Sequence, residues 1–472
     1  MSDVLLRVSV TSVDEHSDPT RNLRTHPMPL ALLNVVGLTP DLLRHAPRIS
    51  AFANGDVTPL QPVFPAVTCT VQASMTTGLA PHAHGVVANG WYHRDQAEVR
   101  FWQRSDRLVA GEKIWEAAKA NDPAFTCANL FWWHNAYSTC DLEVQARPIY
   151  KADGRKIPDI YCNQPRWRDI LQSELGRFPL FNFWGPLAGL ASTRWIADAT
   201  LHTHDRFSPT LTLAYLPHLD YGLQRLGPDH PDIKHQVIEL DTIVGEMIDH
   251  LSAAGTRVMI VSEYGIQATR KHNAAVFINR HLRDLGHLAI RDEDGLDTLD
   301  PGASTAFAVA DHQAAHVYLA PDTPPSQAVE IAASCRALDG VDQALRIDHD
   351  RAGDFTLVAQ HGRWFTYDFW TDETKAPDYA RTVDIHRKPG YDPRELFADA
   401  GKAAMGFKLA RKKLGFRQLM NVIPLDTDLV RGTHGRTDLP AAHGPLLIGA
   451  KAGPHPQPVT AAKQHVLQAL NH

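Results

Sequence analysis

Cysteine is scarce in this chain: five in 472 residues, an odd number dispersed as Cys69, Cys127, Cys140, Cys162 and Cys335, with no C-x-x-C pair. That leaves no basis for a disulfide framework and reads as reduced thiols in a cytoplasmic protein. Long apolar runs are missing too. None approaches the roughly 20 residues that cross a bilayer, and residues 1–28, an N-terminal extension with scattered acids and no small-residue cleavage site, do not read as a secretory leader. Excess positive charge is absent: the formal net charge is −6. Neither a nucleic-acid polymer nor an anionic membrane is therefore an expected partner, since both call for clustered Lys and Arg. Repeats and low-complexity segments are lacking as well. What remains is 44% hydrophobic content on a chain long enough for one large α/β domain with insertions, or for two domains.

Apolar patterning then orders the chain. LALLNVV from Leu30 is a continuous apolar run of the kind a parallel strand buried on both faces shows. Helical spacing follows in GEKIWEAAKAN, a strand in AFTCANLFWW, and an aperiodic, aromatic-rich excursion from the sheet between His134 and Arg194. PTLTLAYLP reads as a buried strand ending in a polar loop, HQVIELDTIVGEMIDHLSAAG as an amphipathic helix closed by Gly255, and TRVMIVSEYGI as a further buried strand. FAVADHQAAHVYLA is a strand candidate, SQAVEIAASCRALDGV a helix, and AGDFTLVAQHGRWFTYDFW an antiparallel pair; a basic stretch, KLARKKLGFRQLM, comes later. Strands alternating with helices, with polar residues where strands end, predict a doubly wound, mostly parallel α/β sheet flanked by helices, with an inserted cap or smaller α+β subdomain.

The stretch from Val63 to Tyr92 holds the most specific local chemistry. Pro62 and Pro65 keep the approach extended, and a helix is predicted from near Thr68 to Gly78. A hydroxyl at a helix start sees unpaired N–H groups and the positive end of the dipole, which favour an alkoxide or a phosphate. An isolated threonine in that place is ordinarily just a cap. The strand ends change the balance. Asn34, Asp220 with Gln224, Glu263 with Tyr264, and His434 in Gly-Thr-His-Gly come from separate loops, and such loops in a doubly wound sheet open onto one crevice.

These residues carry a resemblance. From about Leu30 to Ala450 the chain resembles the alkaline phosphatase superfamily, most closely its nucleotide pyrophosphatase/phosphodiesterase branch, which includes phosphonoacetate hydrolase. Thr68, with Thr77-Gly78 after it, stands where that branch has its nucleophilic threonine, and Pro81, His84, Gly85 and Asn89 match its P-x-x-HG-x-x-x-N. Asp220, Gly227, Pro228 and the G-x-H-G of His434 match as well. Four ligand positions depart: Asn34 for an aspartate, Gln224 for a histidine, and Glu263-Tyr264 for an Asp-His pair. The resemblance implies an alkaline phosphatase-like catalytic domain over residues 29–472 with cap insertions at about 134–194 and 346–428. It also implies a site formed by Thr68 as nucleophile, Asn89 as phosphate contact and Asn34, Thr68, Asp220, Gln224, Glu263 and His434 as metal positions.

The branch uses two metals to activate the hydroxyl and clamp an in-line displacement. Two carboxylates and one histidine are thin for a zinc pair, and the amide, carboxylate and hydroxyl oxygens suit magnesium, manganese or calcium. One hard divalent ion, or none, is the expectation, with the Tyr264 hydroxyl donating to a phosphoryl oxygen. The implied activity is hydrolysis or transfer of a small phosphate or phosphonate ester. The alternative is a scaffold that binds a phosphorylated metabolite or a partner protein without turnover. Asp311, His312 and His316 form D-H-x-x-x-H, but on one strand the two histidines would be about 13 Å apart, which favours structural roles. The aromatics Trp91, Tyr92, Trp115, Phe131, Trp132 and Trp133 read mostly as packing, with one or two left to line a pocket for a flat or apolar substrate group, and Arg387 and Lys388 read as solvated charge rather than anion contacts.

Overall fold

Strand β1 (Leu30–Val35) is buried at all six positions, and the whole fold is arranged around it. In the computed structural model, residues 28–399 and 416–471 are described, with 401, 406, 408, 410, 411 and 414 between them. Most of the predicted N-terminal extension and part of the basic stretch lie outside the described residues. From β1 the chain passes through helix α1 (Pro47–Ala53), strand β2 (Val57–Gln61) and helix α2 (Thr68–Thr77), then α3 (Ile114–Asn121) and strand β3 (Cys127–Leu130). Strands β4 (Leu142–Ala146) and β5 (Ile160–Cys162) come next, then helices α4 (Pro165–Glu174) and α5 (Leu190–Phe207). Strand β6 (Leu211–Leu216), helices α6 (His218–Leu226) and α7 (Asp232–Ala253) and strand β7 (Arg257–Val261) complete this half.

The second half begins with α8 (Ile278–Asp284) and strands β8 (Ala306–Asp311) and β9 (Ala314–Leu319), followed by α9 (Pro325–Ala337) and strands β10 (Val341–Leu345) and β11 (Phe355–Ala359). Strands β12 (Leu446–Ile448) and β13 (Gln457–Pro458) then return to the first sheet, and α10 (Ala462–Leu470) follows. The nine-stranded order is β13-β2-β12-β7-β1-β6-β3-β4-β5. Its five central strands, β7 to β4, are parallel, and β12 and β5 flank them antiparallel. Helices α1, α5, α6 and α7 pack on one another, while α2, α3 and α10 form a second group, so the sheet is doubly wound as predicted. The smaller sheet, β8-β9-β11-β10, is antiparallel and has its own apolar core. The mostly parallel, helix-flanked α/β architecture is thus present together with a second α+β layer.

Three element readings are corrected. The aromatic interval after His134 is no excursion from the sheet, because it supplies β4 and β5. Its aromatics and prolines mask a period that two short strands cannot establish. The polar residues after Leu216 form helix α6 rather than a loop. The stretch around Trp364 is no hairpin: β11 pairs with β9 and β10, whereas Trp364–Phe365 lies parallel to Ala275–Val276.

Candidate functional site

The polar residues collect at the C-terminal ends of the parallel strands, where such sheets leave a crevice. Asn34 ends β1, Asp220 lies in the first turn of α6 after β6, and Glu263 and Tyr264 follow β7. Gly265 is obligatory behind them, since a Cβ there would meet the His443 carbonyl oxygen at 1.6 Å. Thr68 is the first residue of α2, but it does not cap it. Val67 occupies the extended N-cap position with no side-chain cap, and the Thr68 hydroxyl instead faces Tyr264.

A directed chain of hydrogen bonds starts there. Thr68 Oγ lies 2.9 Å from the Tyr264 hydroxyl. Tyr264 in turn donates to Asp220 Oδ1 at 3.3 Å, which leaves its oxygen to accept from Thr68. The Gln224 amide donates to the other Asp220 oxygen at 2.8 Å, and the Tyr391 hydroxyl donates to Gln224 Oε1 at 2.9 Å. His434 Nδ1 donates to the Ala66 carbonyl at 2.8 Å, leaving Nε2 unprotonated 3.9 Å from Asp220. Both protein hydrogen bonds on Asp220 are therefore made within the cluster Asp220, Gln224, Tyr264 and Tyr391.

A second cluster sits at Glu263. Asn34 and Gln72 each donate to its Oε1 at 2.6 Å. Gln72 was not singled out by the sequence, although four residues after Thr68 is one helical turn and hence the same face. Two buried oxygens here, Asn34 Oδ1 and Glu263 Oε2, have no hydrogen-bond partner. Burial pushes the Glu263 carboxyl up to about 8 against the donors Gln72 and Asn34, and Asp220 up to about 6 against Gln224 and Tyr264. Burial pushes His434 down to about 3. Among the described residues no group of three or more His, Cys, Asp or Glu stands ready to hold a metal.

Asn89 is locked from both sides. Its Oδ1 accepts from the Cys69 N–H at 3.0 Å, and its backbone N–H and Nδ2 donate to Asp311 at 2.8 and 3.1 Å. Its Nδ2 makes this one hydrogen bond among the described residues and carries a second hydrogen. Asp311, pushed up to about 7 by burial, thus positions Asn89, a link that no local pattern announces. The single-strand geometry expected for D-H-x-x-x-H is also corrected. β8 and β9 form a hairpin, His312 sits in its turn at φ 56, and His316 points elsewhere, donating to the Val87 carbonyl at 3.1 Å. His312 joins the site by stacking between His434 at 3.6 Å and Tyr391 at 4.0 Å.

The space above Thr68 is small. Thr68, Asn89, Asp220, Tyr264, His312 and His434 line a cavity of about 10 Å³, room for one water. One wall is aromatic, with Trp102 in contact with both Trp133 and Trp184. Trp102 is held at φ 58, an uncommon conformation for a bulky residue, and it also borders an open cleft of about 1070 Å³. Of the six aromatics named from the sequence, Trp133 lines this cavity. Lys388, by contrast, is neither solvated nor at the site: it is buried and paired with Asp392 at 2.8 Å and Glu395 at 2.7 Å.

Solved structures share this fold. Phosphonoacetate hydrolase of Sinorhizobium meliloti, solved with phosphonoformate, superposes at a TM-score of 0.58 with 13% identity, covering 94% of this chain and 96% of that one. Murine ectonucleotide pyrophosphatase/phosphodiesterase 5, solved with AMP, gives a TM-score of 0.55 at 12% identity, covering 94% and 95%. In sequence, an uncharacterised pyrophosphatase/phosphodiesterase of Schizosaccharomyces pombe is 26% identical over 272 residues, 54% of this chain and 46% of its own length. The chain spans less than half the length of the curated relatives it matches. The family profile of type I phosphodiesterase / nucleotide pyrophosphatase matches residues 30–392, and the chain belongs to that family.

Proposed function

We propose that the chain is a hydrolase or transferase of small phosphate or phosphonate esters with Thr68 as its nucleophile. One observation carries this: the Thr68 hydroxyl caps nothing and instead heads the chain through the Tyr264 phenol to the Asp220 carboxylate. Thr68 Oγ bonds to phosphorus as the bond to the leaving oxygen breaks, that oxygen taking the bonding pair and a proton from solvent. The Thr68 proton passes to the Tyr264 oxygen while the Tyr264 proton passes to Asp220. A water or acceptor hydroxyl then bonds to phosphorus as the Thr68 Oγ–P bond breaks, and its proton returns to Thr68. The free Nδ2 hydrogen of Asn89 and the N-terminus of α2 meet the phosphoryl oxygens. The structural neighbours were solved with AMP and phosphonoformate, and a ligand of either kind would have to displace the aromatic wall of the cavity of about 10 Å³ at Thr68.

The donor set fits one hard cation rather than two metals. Asn34 Oδ1 and Glu263 Oε2, buried and without partners, would hold it together with Thr68 Oγ. Magnesium, manganese or calcium there lowers the pKa of a coordinated hydroxyl and neutralises phosphoryl charge. Gln224 donates to Asp220 and is itself held by Tyr391, while His434 is held by the Ala66 carbonyl, which supports a proton-handling role for Asp220. Five buried free cysteines agree with a reducing, cytoplasmic setting.

The test is turnover of an aryl phosphodiester and monoester with added Mg²⁺, Mn²⁺, Ca²⁺ or Zn²⁺, wild type against Thr68→Ala. Loss of all turnover in the variant is the expected result. Equal background rates in both proteins favour the second reading, binding without turnover, for which the closed cavity of about 10 Å³ speaks.

A further inference from the structure

The open cleft beside the reaction cavity carries charge that the chemistry at Thr68 does not use. Five arginines line it. Three are neutralised in place: Arg100 by Glu98 at 2.8 Å, Arg291 by Glu293 at 2.6 Å and Arg387 by Asp378 at 2.8 Å. Arg104 and Arg147 differ, because among the described residues neither pairs with a carboxylate. Arg104 donates to His386 Nε2 at 3.5 Å, while His386 Nδ1 donates to the Phe101 carbonyl at 3.2 Å. Arg147 donates to the Tyr137 hydroxyl at 3.4 Å and lies 5.4 Å from the centre of the Tyr161 ring.

Neutral partners of this kind orient a guanidinium without cancelling its charge. Arg104 is partly buried, and its pKa lies below the ordinary value, chiefly through burial; the Tyr150 phenol beside it, another neutral partner, pushes it up, and the like charge of Arg147 pushes it down. A charge removed from water and left unpaired is costly until a counter-charge arrives. Each fork still has N–H groups to spare, in the planar arrangement that suits a carboxylate or a phosphate. The place is suggestive as well. Trp102 walls both the cleft and the reaction cavity, and Arg104 lies two residues further, within roughly 7 Å along the chain.

We propose that Arg104 and Arg147 form a subsite for a second anionic group of the substrate, a phosphate or carboxylate borne away from the phosphorus that Thr68 attacks. The substrate class is then an ester with an acidic far end, held in the cleft while its phosphoryl end enters past Trp102. The link to turnover rests on Thr68 as reaction centre, but anion binding in the cleft stands apart from it.

Titration calorimetry in chelator, with inorganic pyrophosphate and citrate as phosphate and carboxylate probes, tests the subsite. At least one probe saturates the wild type, and its affinity falls about tenfold or more in Arg104→Gln and in Arg147→Gln. Arg147 is exposed, so its substitution does not endanger folding, and Arg147→Lys recovers part of the loss. Thr68→Ala leaves binding unchanged. No saturable binding of either probe, or equal affinity in wild type and both glutamine variants, overturns the subsite. Turnover gives the second arm, with paired 4-nitrophenyl phosphodiesters that differ only in a neutral or an acidic far end. Arg147→Gln abolishes the preference for the acidic ester and leaves the neutral one unaffected; a preference that survives in both arginine variants overturns the proposal. If Thr68→Ala retains full turnover while the arginines still bind the probes, the reaction centre is misplaced and the subsite holds. If Thr68→Ala is dead and the arginine variants change nothing, the subsite fails and the reaction centre holds.

Discussion

Tyr264 and His434 stack face to face, with ring centroids 3.7 Å apart and 8° between their planes. His312 and Tyr391 extend the column, so four rings from four distant segments form one wall of the cavity at Thr68. The stack holds the Tyr264 ring in place. The ring keeps its packing role, and the hydroxyl reaches the gap between Thr68 and Asp220.

Tyr264→Phe separates those roles. The ring stack survives, while the path from Thr68 to Asp220 is cut. kcat on an aryl phosphodiester is expected to fall about a hundredfold or more, and stability by only about 1 kcal/mol. Steady-state kinetics beside chemical denaturation of the same protein checks the split.

Asn34→Asp replaces a donor 2.6 Å from Glu263 Oε1 with a second carboxylate. In chelator the variant loses about 1–3 kcal/mol, because the Glu263 oxygen keeps a repelling neighbour in place of a hydrogen bond. Added Mg²⁺ or Mn²⁺ restores the loss and raises the thermal midpoint more than in wild type. Thermal melts with and without the ion decide it; an equal shift in both proteins places the cation elsewhere.

Lys388→Met leaves Glu395 buried without its cation and Asp392 with Arg394 alone. Guanidinium denaturation is expected to show a loss of about 3–5 kcal/mol, as for other broken buried pairs. A loss below about 1 kcal/mol would return Lys388 to the solvated surface.

His316 sets a pH dependence. It donates Nε2–H to Val87 and accepts at Nδ1 from Gly353 and Thr356, and burial pushes its pKa down to about 4. The unfolded imidazole titrates near 6.5, so below that pH the unfolded state binds the extra proton. Stability is therefore full above about pH 6.5 and declines as pH falls toward 4, by about 1.4 kcal/mol per pH unit for this one group. His316→Asn is less stable at pH 7, and its stability curve between pH 6.5 and 4 is flatter by one proton. Denaturation midpoints across that range measure both.

Trp102→Gly removes the wall between cavity and cleft at a backbone conformation that glycine adopts freely. KM for a bulky aryl phosphodiester falls and anion binding in the cleft is retained. An unchanged KM would show that access does not run past Trp102.

Much of this molecule was legible in local pattern. Continuous apolar runs mark β1, β6 and β7 because parallel strands covered on both faces have no polar side. Polar residues at their ends mark the crevice, and Pro65 with Gly78 brackets α2 because each restricts the backbone in a known way. FAVADHQAAHVYLA was harder: alternation cannot tell one long strand from two that fold back, and the turn uses His312 at positive φ where a glycine or asparagine would have signalled it.

The amino-acid sequence by itself determined the doubly wound sheet and the placement of Thr68 at a helix start, and its resemblance implied departures from a ligand pattern at four positions. Each of these is written in residue type and short-range spacing. Only the tertiary structure decided that Thr68 faces Tyr264 instead of capping its helix, that Asp311 holds Asn89 across 222 positions, and that Lys388 is buried. Those are pairings between distant segments, and a hydrogen bond of 3 Å between two of them depends on how whole layers pack, which residue spacing along the chain does not encode.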